Sequence, residues 1–200
     1  MPKVLTHADV IGFRERLCHA AETLFAAHGP ESVTMRQLAA VLGVSPMTPY
    51  RYFKDKDEIL AAVRASAFTR FAVALETARE RGESPLEAAQ NVADAYVGFA
   101  LREKDAYRLM FDLSQPTEEQ YPELADAAAR ARRTMTAHVE DMIRAGLLAG
   151  EADVIGHVFW AALHGTIVLQ LAGKLSPGID PDGLRAAALA ALARGFGVAF

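Results

Sequence analysis

Residues 34–57 read TMRQLAAVLGVSPMTPYRYFKDKD, and this stretch decides how the N-terminal quarter of the chain folds. Its apolar residues recur at three- and four-residue spacing, which predicts a short helix that buries Met35, Leu38, Ala39 and Leu42. Thr34 can cap the start of that helix, and Gly43 can adopt the positive φ that a tight turn requires. Ser45 can then cap a further helix, with Pro46 at its first position, where the missing N–H costs nothing.

The predicted pair of helices has an inner and an outer face. An amphipathic pattern at about residues 9–27 predicts a preceding helix, against which the inner side chains close a small core of Leu38, Ala39, Leu42, Val44 and Phe53. The outer face of the last helix, which runs to about residue 53, carries Ser45, Met47, Thr48, Tyr50 and Tyr52. Two short helices joined by a glycine turn are the layout of a helix-turn-helix, and such a face fits the DNA major groove, about 12 Å wide. A plain three-helix packing unit without a DNA role is the alternative.

The net charge of the chain is −4, but it is unevenly distributed. Residues 34–56 contain four basic side chains and one acidic side chain, so this segment carries +3 and the remainder carries −7: Arg36, Arg51, Lys54, Asp55 and Lys56. A basic patch on an acidic protein can hold phosphates locally, although a solvated charged face is the commoner cause of such a count.

The rest of the chain is predicted to be helical as well. Alanine is abundant and β-branched residues form no alternating runs, so helices are favoured over strands. Helical patterns cover about residues 54–80, 85–102, 104–113, 120–148, 151–173 and 181–198. We therefore predict an all-α fold of about nine helices. Residues 1–56 would form a three-helix helix-turn-helix domain, helix four would continue as a connector to about residue 80, and residues 57–200 would form a second helical domain.

The composition favours a cytoplasmic protein. The single cysteine, Cys18, leaves no partner for a disulfide within the chain and fits a reducing compartment. The first nine residues lack the pattern of a secretion signal. The most apolar stretch, residues 154–172, is interrupted by His157, His164 and Gln170, so a buried helix is a better interpretation than a membrane span.

The segment RQLAAVLGVSPMTPYRYFKDKDEIL closely resembles the signature of the TetR family of transcriptional regulators, and the resemblance covers about residues 10–60. It implies that the third helix reads an operator. By position in the motif, it implies DNA-backbone contacts from Thr34, Arg36, Tyr50 and Lys54 and base contacts from Met47 and Thr48. Together with the outward Ser45 and Tyr52, these residues are our candidate DNA-binding set. Pro49 departs from the aliphatic residue frequent in the family, removes a backbone donor and stiffens the entry to this helix.

Two motifs in the second half resemble a narrower branch of the same family. Tyr107-Arg108-Leu109-Met110-Phe111 and Trp160-x-x-x-His164-Gly165 are similar to the TetR C-terminal domain named for its Trp, His and Gly. The resemblance implies a small-molecule effector and a homodimer. Independently of it, Trp160 and His164 lie four residues apart, which places them on one helix face.

Candidate ligand-binding residues combine apolar walls with a few polar groups, a mixture that suits a small-molecule site. They are Phe71, Tyr96, Phe99, Tyr107, Met110, Phe111, Met135, His138, Trp160 and His164, with Phe68 and Met142 as further candidates. The same residues at the same spacing would also fill an ordinary core, and for any one of them the core is the commoner role.

Metal binding and catalysis are the less favoured interpretations. The histidines at 138, 157 and 164 have no cysteine or carboxylate at a spacing that would complete a tetrahedral set, so we expect neither a metal nor a cofactor. The sequence has no glycine-rich phosphate loop, nucleophile motif or HExxH pair, so we expect no enzyme activity.

The last two predicted helices, at about residues 151–173 and 181–198, carry broad apolar faces. One face contains Ile155, Phe159, Ala162, Leu163, Thr166, Ile167 and Gln170, and the other contains Leu184, Ala188, Ala191, Leu192 and Phe196. We predict that these helices pair with their copies in a homodimer; the alternative is that they only cover a pocket. The function predicted from these features is a repressor released from a palindromic double-stranded operator by a small molecule. There are two alternatives. The chain could be an activator, or it could be a helical ligand-binding protein or small enzyme whose helix-turn-helix is vestigial.

Overall fold

The computed structural model describes residues 6–112 and 118–197. In these two ranges the regular structure is helical throughout, with eight α-helices and no strand, which confirms the all-α fold. The helices are α1 (His7–His28), α2 (Met35–Val41), α3 (Lys56–Glu80), α4 (Pro85–Arg102), α5 (Lys104–Met110), α6 (Pro122–Arg144), α7 (Ala152–Leu171) and α8 (Pro181–Gly195). Short 3₁₀ helices cover Pro30–Ser32, Pro49–Arg51 and Glu118–Gln120. The helix ends predicted at residues 113 and 198 lie outside the described residues.

The chain divides into two compact units. The first contains residues 1–68 and 105–128, and the second contains residues 69–104 and 129–200. Helices α3 and α6 contribute residues to both units. The domain boundary expected at residues 56–57 stays a prediction.

The first unit has a core built on α1. Thr6 and Asp9 form a capping box, in which the Thr6 hydroxyl accepts from the Asp9 N–H and the Asp9 carboxylate accepts from the Thr6 N–H. Successive turns of the helix then bury one face: Phe13, Leu17, Ala21 and Phe25. This face meets Leu38 of α2 and Phe53, all within one apolar cluster. Burial of such side chains is the main stabilising contribution to a unit of this size.

The segment from Ser45 to Phe53 differs from the sequence prediction. A third α-helix was expected here, and the structure instead has a turn followed by the short 3₁₀ helix Pro49–Arg51, so that expectation was wrong. The reason is Pro49, which lacks the N–H that would donate to the Ser45 carbonyl in an α-helix. That carbonyl accepts from the Thr48 N–H, three residues on, at 2.9 Å, and Arg51 donates to the Thr48 carbonyl in the same pattern at 3.1 Å.

The turn before this segment follows the prediction. Gly43 has φ of +65°, a conformation that other residues rarely adopt, and the C-cap of α2 lies one residue before it. The Val44 N–H donates to the Ala39 carbonyl at 3.0 Å, which closes the turn against α2. The turn therefore sets the direction in which the chain enters the 45–53 segment.

The second unit brings together α4, α6, α7 and α8. Val139 and Met142 of α6, Leu148 of the loop that follows and Ile155 of α7 form a buried cluster within it. Gly156 allows α7 to pass close to α6, because a Cβ atom at this position would lie 2.8 Å from the Met135 carbonyl oxygen. Any residue other than glycine at this position would require a shift of the backbone.

Helix α7 combines an inner face with an unusually apolar outer face. Ile155, Leu163 and Ile167 are buried, whereas Val154 and Val168 are 59% and 43% exposed. By length and composition alone α7 could cross a membrane, but one such helix is weak evidence. The outer face of α7 is therefore a surface that needs an explanation.

Candidate DNA-binding surface and ligand cavity

The candidate DNA-binding residues lie on or next to the helix-turn-helix segment of the first unit. Six are exposed, namely Thr34, Arg36, Ser45, Met47, Tyr50 and Lys54, and two are half-buried, Thr48 and Tyr52. The exposed fractions of Met47 and Tyr50, 68% and 49%, are high for large apolar side chains. Single exposed apolar side chains are common on protein surfaces, so their position on the helix-turn-helix segment is what makes these two candidates for a contact.

Several of these polar side chains already have partners within the protein. Thr34 forms a capping box with Gln37, in which the Gln37 side-chain oxygen accepts from the Thr34 N–H at 2.8 Å. The hydroxyls of Ser45 and Thr48 are 3.2 Å apart and hydrogen-bonded. The structure thus orders these groups before any ligand arrives, which lowers the entropy cost of a later contact.

Tyr52 points towards the core of the first unit and not wholly outward. Its ring stacks on Phe13 with 4.2 Å between ring centroids. The side chain therefore anchors the end of the 45–53 segment against α1, a role the sequence analysis did not assign to it.

Arg14 is a further residue that the sequence analysis missed. Its Nη1 donates to the Tyr52 backbone carbonyl at 2.7 Å, and its guanidinium carbon lies 4.1 Å from the centroid of the Phe53 ring. Arg14 therefore holds both residues at the end of the 45–53 segment. The two partners are 38 residues or more away in sequence, so no local pattern could have indicated the contact.

The four basic side chains of residues 34–56 differ in exposure, and Lys56 is half-buried. The Lys56 ammonium donates to the Pro30 carbonyl at 2.6 Å, which ties it to the chain. Arg36, Arg51 and Lys54 are exposed. At the start of α3, the Asp55 carboxylate accepts from the Glu58 N–H at 2.9 Å, so this acidic residue acts as a helix cap.

The second unit contains a cavity of about 330 Å³ between α4, α6, α7 and α8. Four candidate ligand residues line it, namely Tyr96, Met135, His138 and Trp160, as does the further candidate Met142. Inside it, the Trp160 Nε1–H donates to the Tyr96 hydroxyl at 2.9 Å, which joins α7 to α4 across the cavity wall. Volume and lining are typical of a small-molecule site.

The other ligand candidates lie elsewhere. Phe71 and Phe99 pack edge-on with 5.2 Å between ring centroids, and Phe71 meets Tyr96 at the same distance, behind the cavity wall. Tyr107, Met110 and Phe111 belong to the first unit, where Phe111 packs on Tyr107 and on Phe68. His164 lies beside Trp160, with 6.3 Å between ring centroids, and does not line the cavity.

The sequence analysis missed much of the cavity wall. Small and aliphatic residues of α4 and α8 supply it, including Leu86, Ala89, Ala93, Leu189, Ala190 and Ala193. Their spacing could have indicated a helix face but not a cavity, because alanine leaves space only where the facing helix does not fill it.

Two histidines of the second unit have environments that favour the neutral ring. Burial lowers the pKa of His138, against a hydrogen bond from its Nδ1 to the Thr134 carbonyl at 3.2 Å, which acts in the opposite direction. Burial also lowers the pKa of His164. Within residues 6–112 and 118–197 no three His, Cys, Asp or Glu side chains are grouped so that they could hold a metal ion.

Two family models match the chain. The model described as bacterial regulatory proteins, tetR family, matches residues 17–63, and the tetracyclin repressor-like C-terminal domain matches residues 89–192, more than half of the chain. The chain belongs to the TetR family of bacterial regulators, whose members are DNA-binding transcription regulators. The narrower resemblance to the domain named for its Trp, His and Gly stays a prediction.

Known proteins agree with this family. The HTH-type transcriptional regulator TcmR of Streptomyces glaucescens is 35% identical over 85 residues, which are 42% of this chain and 37% of TcmR. The chain thus matches little more than a third of the length of that relative. A protein with unknown function from Rhodococcus sp. RHA1 has a TM-score of 0.80 at 29% identity, over 92% of this chain and 94% of that chain. The TetR family transcriptional regulator PfmR from Thermus thermophilus has a TM-score of 0.69 at 21% identity, over 90% and 97% of the two chains, and so shares the fold.

Proposed function

We propose that this chain is a cytoplasmic repressor that binds a palindromic operator as a homodimer and leaves it when a small-molecule effector enters the cavity of the second unit. The observation that carries the proposal is the exposed pair Met47 and Tyr50 on a helix-turn-helix whose end Arg14 holds against α1. Exposed apolar side chains, together with the exposed cations Arg36 and Lys54 of the same 34–57 stretch, suit a surface that meets both bases and phosphates.

The proposed contacts divide by the part of DNA they would touch. Tyr50, Lys54 and Arg36 would contact the sugar-phosphate backbone, which fixes the position of the protein but carries no sequence information. Met47 and Thr48 would contact base edges in the major groove. The 3₁₀ helix is only three residues long, so it would offer DNA a shorter surface than an α-helix of nine residues.

The proposed dimer interface uses the outer faces of α7 and α8. Val154, Ala161 and Val168 are exposed and recur every seven residues along α7, and Leu169 widens this stripe. A Cβ atom at Gly165 would meet nothing within 4 Å, so a partner backbone has room to approach. The faces named from the sequence lie partly inward, since Ile155, Leu163 and Ile167 are buried within the chain.

The position of the cavity supports a link between ligand and DNA. Helices α7 and α8 line the cavity on one side and carry the proposed dimer interface on the other. Tyr96 lines the cavity and also packs on Phe71 of α3, the helix that contributes residues to both units. A ligand that binds one arrangement of these helices more tightly than another would shift the population of the DNA-binding form.

The experiment is selection of bound duplexes from a random pool, followed by gel shifts with single substitutions. We expect Tyr50→Ala and Lys54→Ala to weaken binding to every duplex, and Lys54→Ala to reduce the slope of log K against log salt by about 1. Met47→Ala is expected to change the selected sequence with a smaller loss of affinity for non-specific DNA. Arg132→Ala, at an exposed position of α6, is the control for charge removed elsewhere. If no duplex is retarded by the wild-type protein even in dilute salt, the proposal is wrong.

A further inference from the structure

The cavity of the second unit lacks formal charge. Among the described residues that line it there is no Asp, Glu, Lys or Arg side chain. A charged ligand would lose its hydration on entry and would find no counter-ion to replace it. The lining therefore selects against acids and amines that are ionised at neutral pH.

His138 supplies a polar group of defined character to this lining. A carbonyl oxygen can only accept, so the hydrogen bond between His138 Nδ1 and the Thr134 carbonyl places the proton of the neutral ring on Nδ1. The other ring nitrogen, Nε2, is then an acceptor, and within the described residues no hydrogen bond to it is seen. Burial lowers the pKa of His138, which keeps the ring in this neutral form at pH 7.

The remaining polar groups at the cavity are less selective. The Tyr96 hydroxyl already accepts from Trp160 at 2.9 Å. Gln90 is exposed, so its amide is hydrated, and replacing a hydrogen bond to water by one to a ligand would add little binding free energy. His138 is therefore the group whose unused acceptor a buried ligand would satisfy.

We propose that the effector is an uncharged, mainly apolar molecule with one hydroxyl group that donates a hydrogen bond to Nε2 of His138. At the packing density of protein interiors, a cavity of about 330 Å³ holds roughly 15 non-hydrogen atoms. The term effector rests on the proposed function, whereas the chemistry of binding does not.

Trp160 makes the test direct, because it is the single tryptophan of the chain and it lines the cavity. Four probes of one chain length are titrated against the full-length protein while tryptophan emission is recorded: 1-decanol, decyl methyl ether, decanoate and protonated decylamine. We expect 1-decanol to bind about tenfold more tightly than the ether, the difference one hydrogen bond makes, and the two ions to give no saturable response. Equal affinity for alcohol and ether, binding of decanoate as tight as that of decanol, or no binding of any probe would each overturn the proposal.

The variant His138→Leu tests the assignment to one atom. It is expected to bind 1-decanol about tenfold more weakly and the ether as before, and retained ether binding shows that the variant is folded. The matched control is His157→Leu, because His157 is exposed, lies 5.7 Å from Trp160 between ring centroids and does not line the cavity. Should His138→Leu bind neither probe, His138→Gln restores an acceptor and is expected to prefer the alcohol. An alcohol preference that survives in His138→Leu, or is absent from His138→Gln, contradicts the proposal.

Gel shifts with the selected duplex separate this inference from the proposed function. Retardation of the duplex without binding of 1-decanol would overturn the ligand assignment alone. Binding of 1-decanol without retardation of any duplex would overturn the regulatory function alone. If both hold, 1-decanol is expected to lower the affinity for the duplex and decyl methyl ether to do so only at higher concentration.

Discussion

Arg14 shows how a single side chain can position a binding surface without belonging to it. Its guanidinium donates to the Tyr52 carbonyl at 2.7 Å and covers the Phe53 ring at 4.1 Å. Hydrogen bonds that involve a charged donor, and cations over aromatic rings, each stabilise by about 1–2 kcal/mol when partly buried. The conformation of the 45–53 segment therefore depends on a residue of α1.

The corresponding prediction is that Arg14→Met, which removes both contacts, lowers the free energy of unfolding by about 2–4 kcal/mol. Methionine keeps the length of the side chain and its packing on Phe53 but has no donor for the Tyr52 carbonyl. Urea denaturation measures the stability, and gel shifts should show weaker binding of the selected duplex in the same variant. Arg16→Met is the matched control, since Arg16 is exposed on the same helix and lies farther from its ring, 5.7 Å from the Phe13 centroid. An equal effect of both substitutions would show that loss of charge, and not the contact, is responsible.

At the scale of elements, the 45–53 segment shows how one proline can change the hydrogen-bonding pattern of a helix. The residues that would cap and bury an α-helix here are present, with Ser45 at the start of the segment and Phe53 buried at its end. Pro49 nevertheless removes the donor for the Ser45 carbonyl, and the chain adopts 3₁₀ hydrogen bonds in its place.

We expect Pro49→Ala to give the segment α-helical hydrogen bonds, because residue 49 regains an N–H that can donate to the Ser45 carbonyl in place of the Thr48 N–H. Backbone carbon chemical shifts of residues 45–53 measure the change. Pro46→Ala should leave the shifts of residues 49–53 unchanged, since Pro46 is exposed at the first position of the turn, where an N–H has no helical acceptor. Shifts in Pro49→Ala that match the wild-type protein would mean that packing around the buried ring of Pro49, and not the missing donor, determines the turn.

The elements and the site differ in how far the sequence could predict them. The capping signal Thr34 and the stop at Gly43 placed helix ends within a few residues because they act through local backbone geometry and hydrogen bonds. Pro49 is plain in the sequence, but whether burial of Phe53 outweighs the lost donor depends on how the segment packs. For the cavity, Tyr96 and Trp160 were identifiable as large aromatic groups, but Phe71 met the same criterion and lies in the core. The difference depends on how α4 and α7 pack, and no local pattern records that.

At the scale of the whole molecule, the exposed apolar face of α7 predicts the assembly state. Val168→Glu places a charge in the proposed interface, where it would have no partner and would be desolvated. We expect this variant to be monomeric by sedimentation at concentrations at which the wild-type protein is a dimer. We also expect the variant to lose more affinity for a palindromic duplex than for a single half-site. In a dimer the two DNA-binding surfaces are linked, so the second half-site is bound at a higher effective concentration.

Val73→Glu is the matched control for the dimer prediction. Val73 lies on α3 of the same unit and is 44% exposed, against 43% for Val168. If both variants remain dimeric, α7 is not the interface. If both dissociate, the effect is one of added charge in general.

Cys18 has a practical consequence for measurements on this assembly. Burial raises the pKa of its thiol to about 11, so the reactive thiolate is a small minority at pH 7. The natural chain therefore serves as an unreactive background for maleimide labelling. A cysteine introduced at an exposed site such as position 47 would take up a spin label selectively. The distance between the labels of two protomers would then report the spacing of their DNA-binding surfaces with and without ligand.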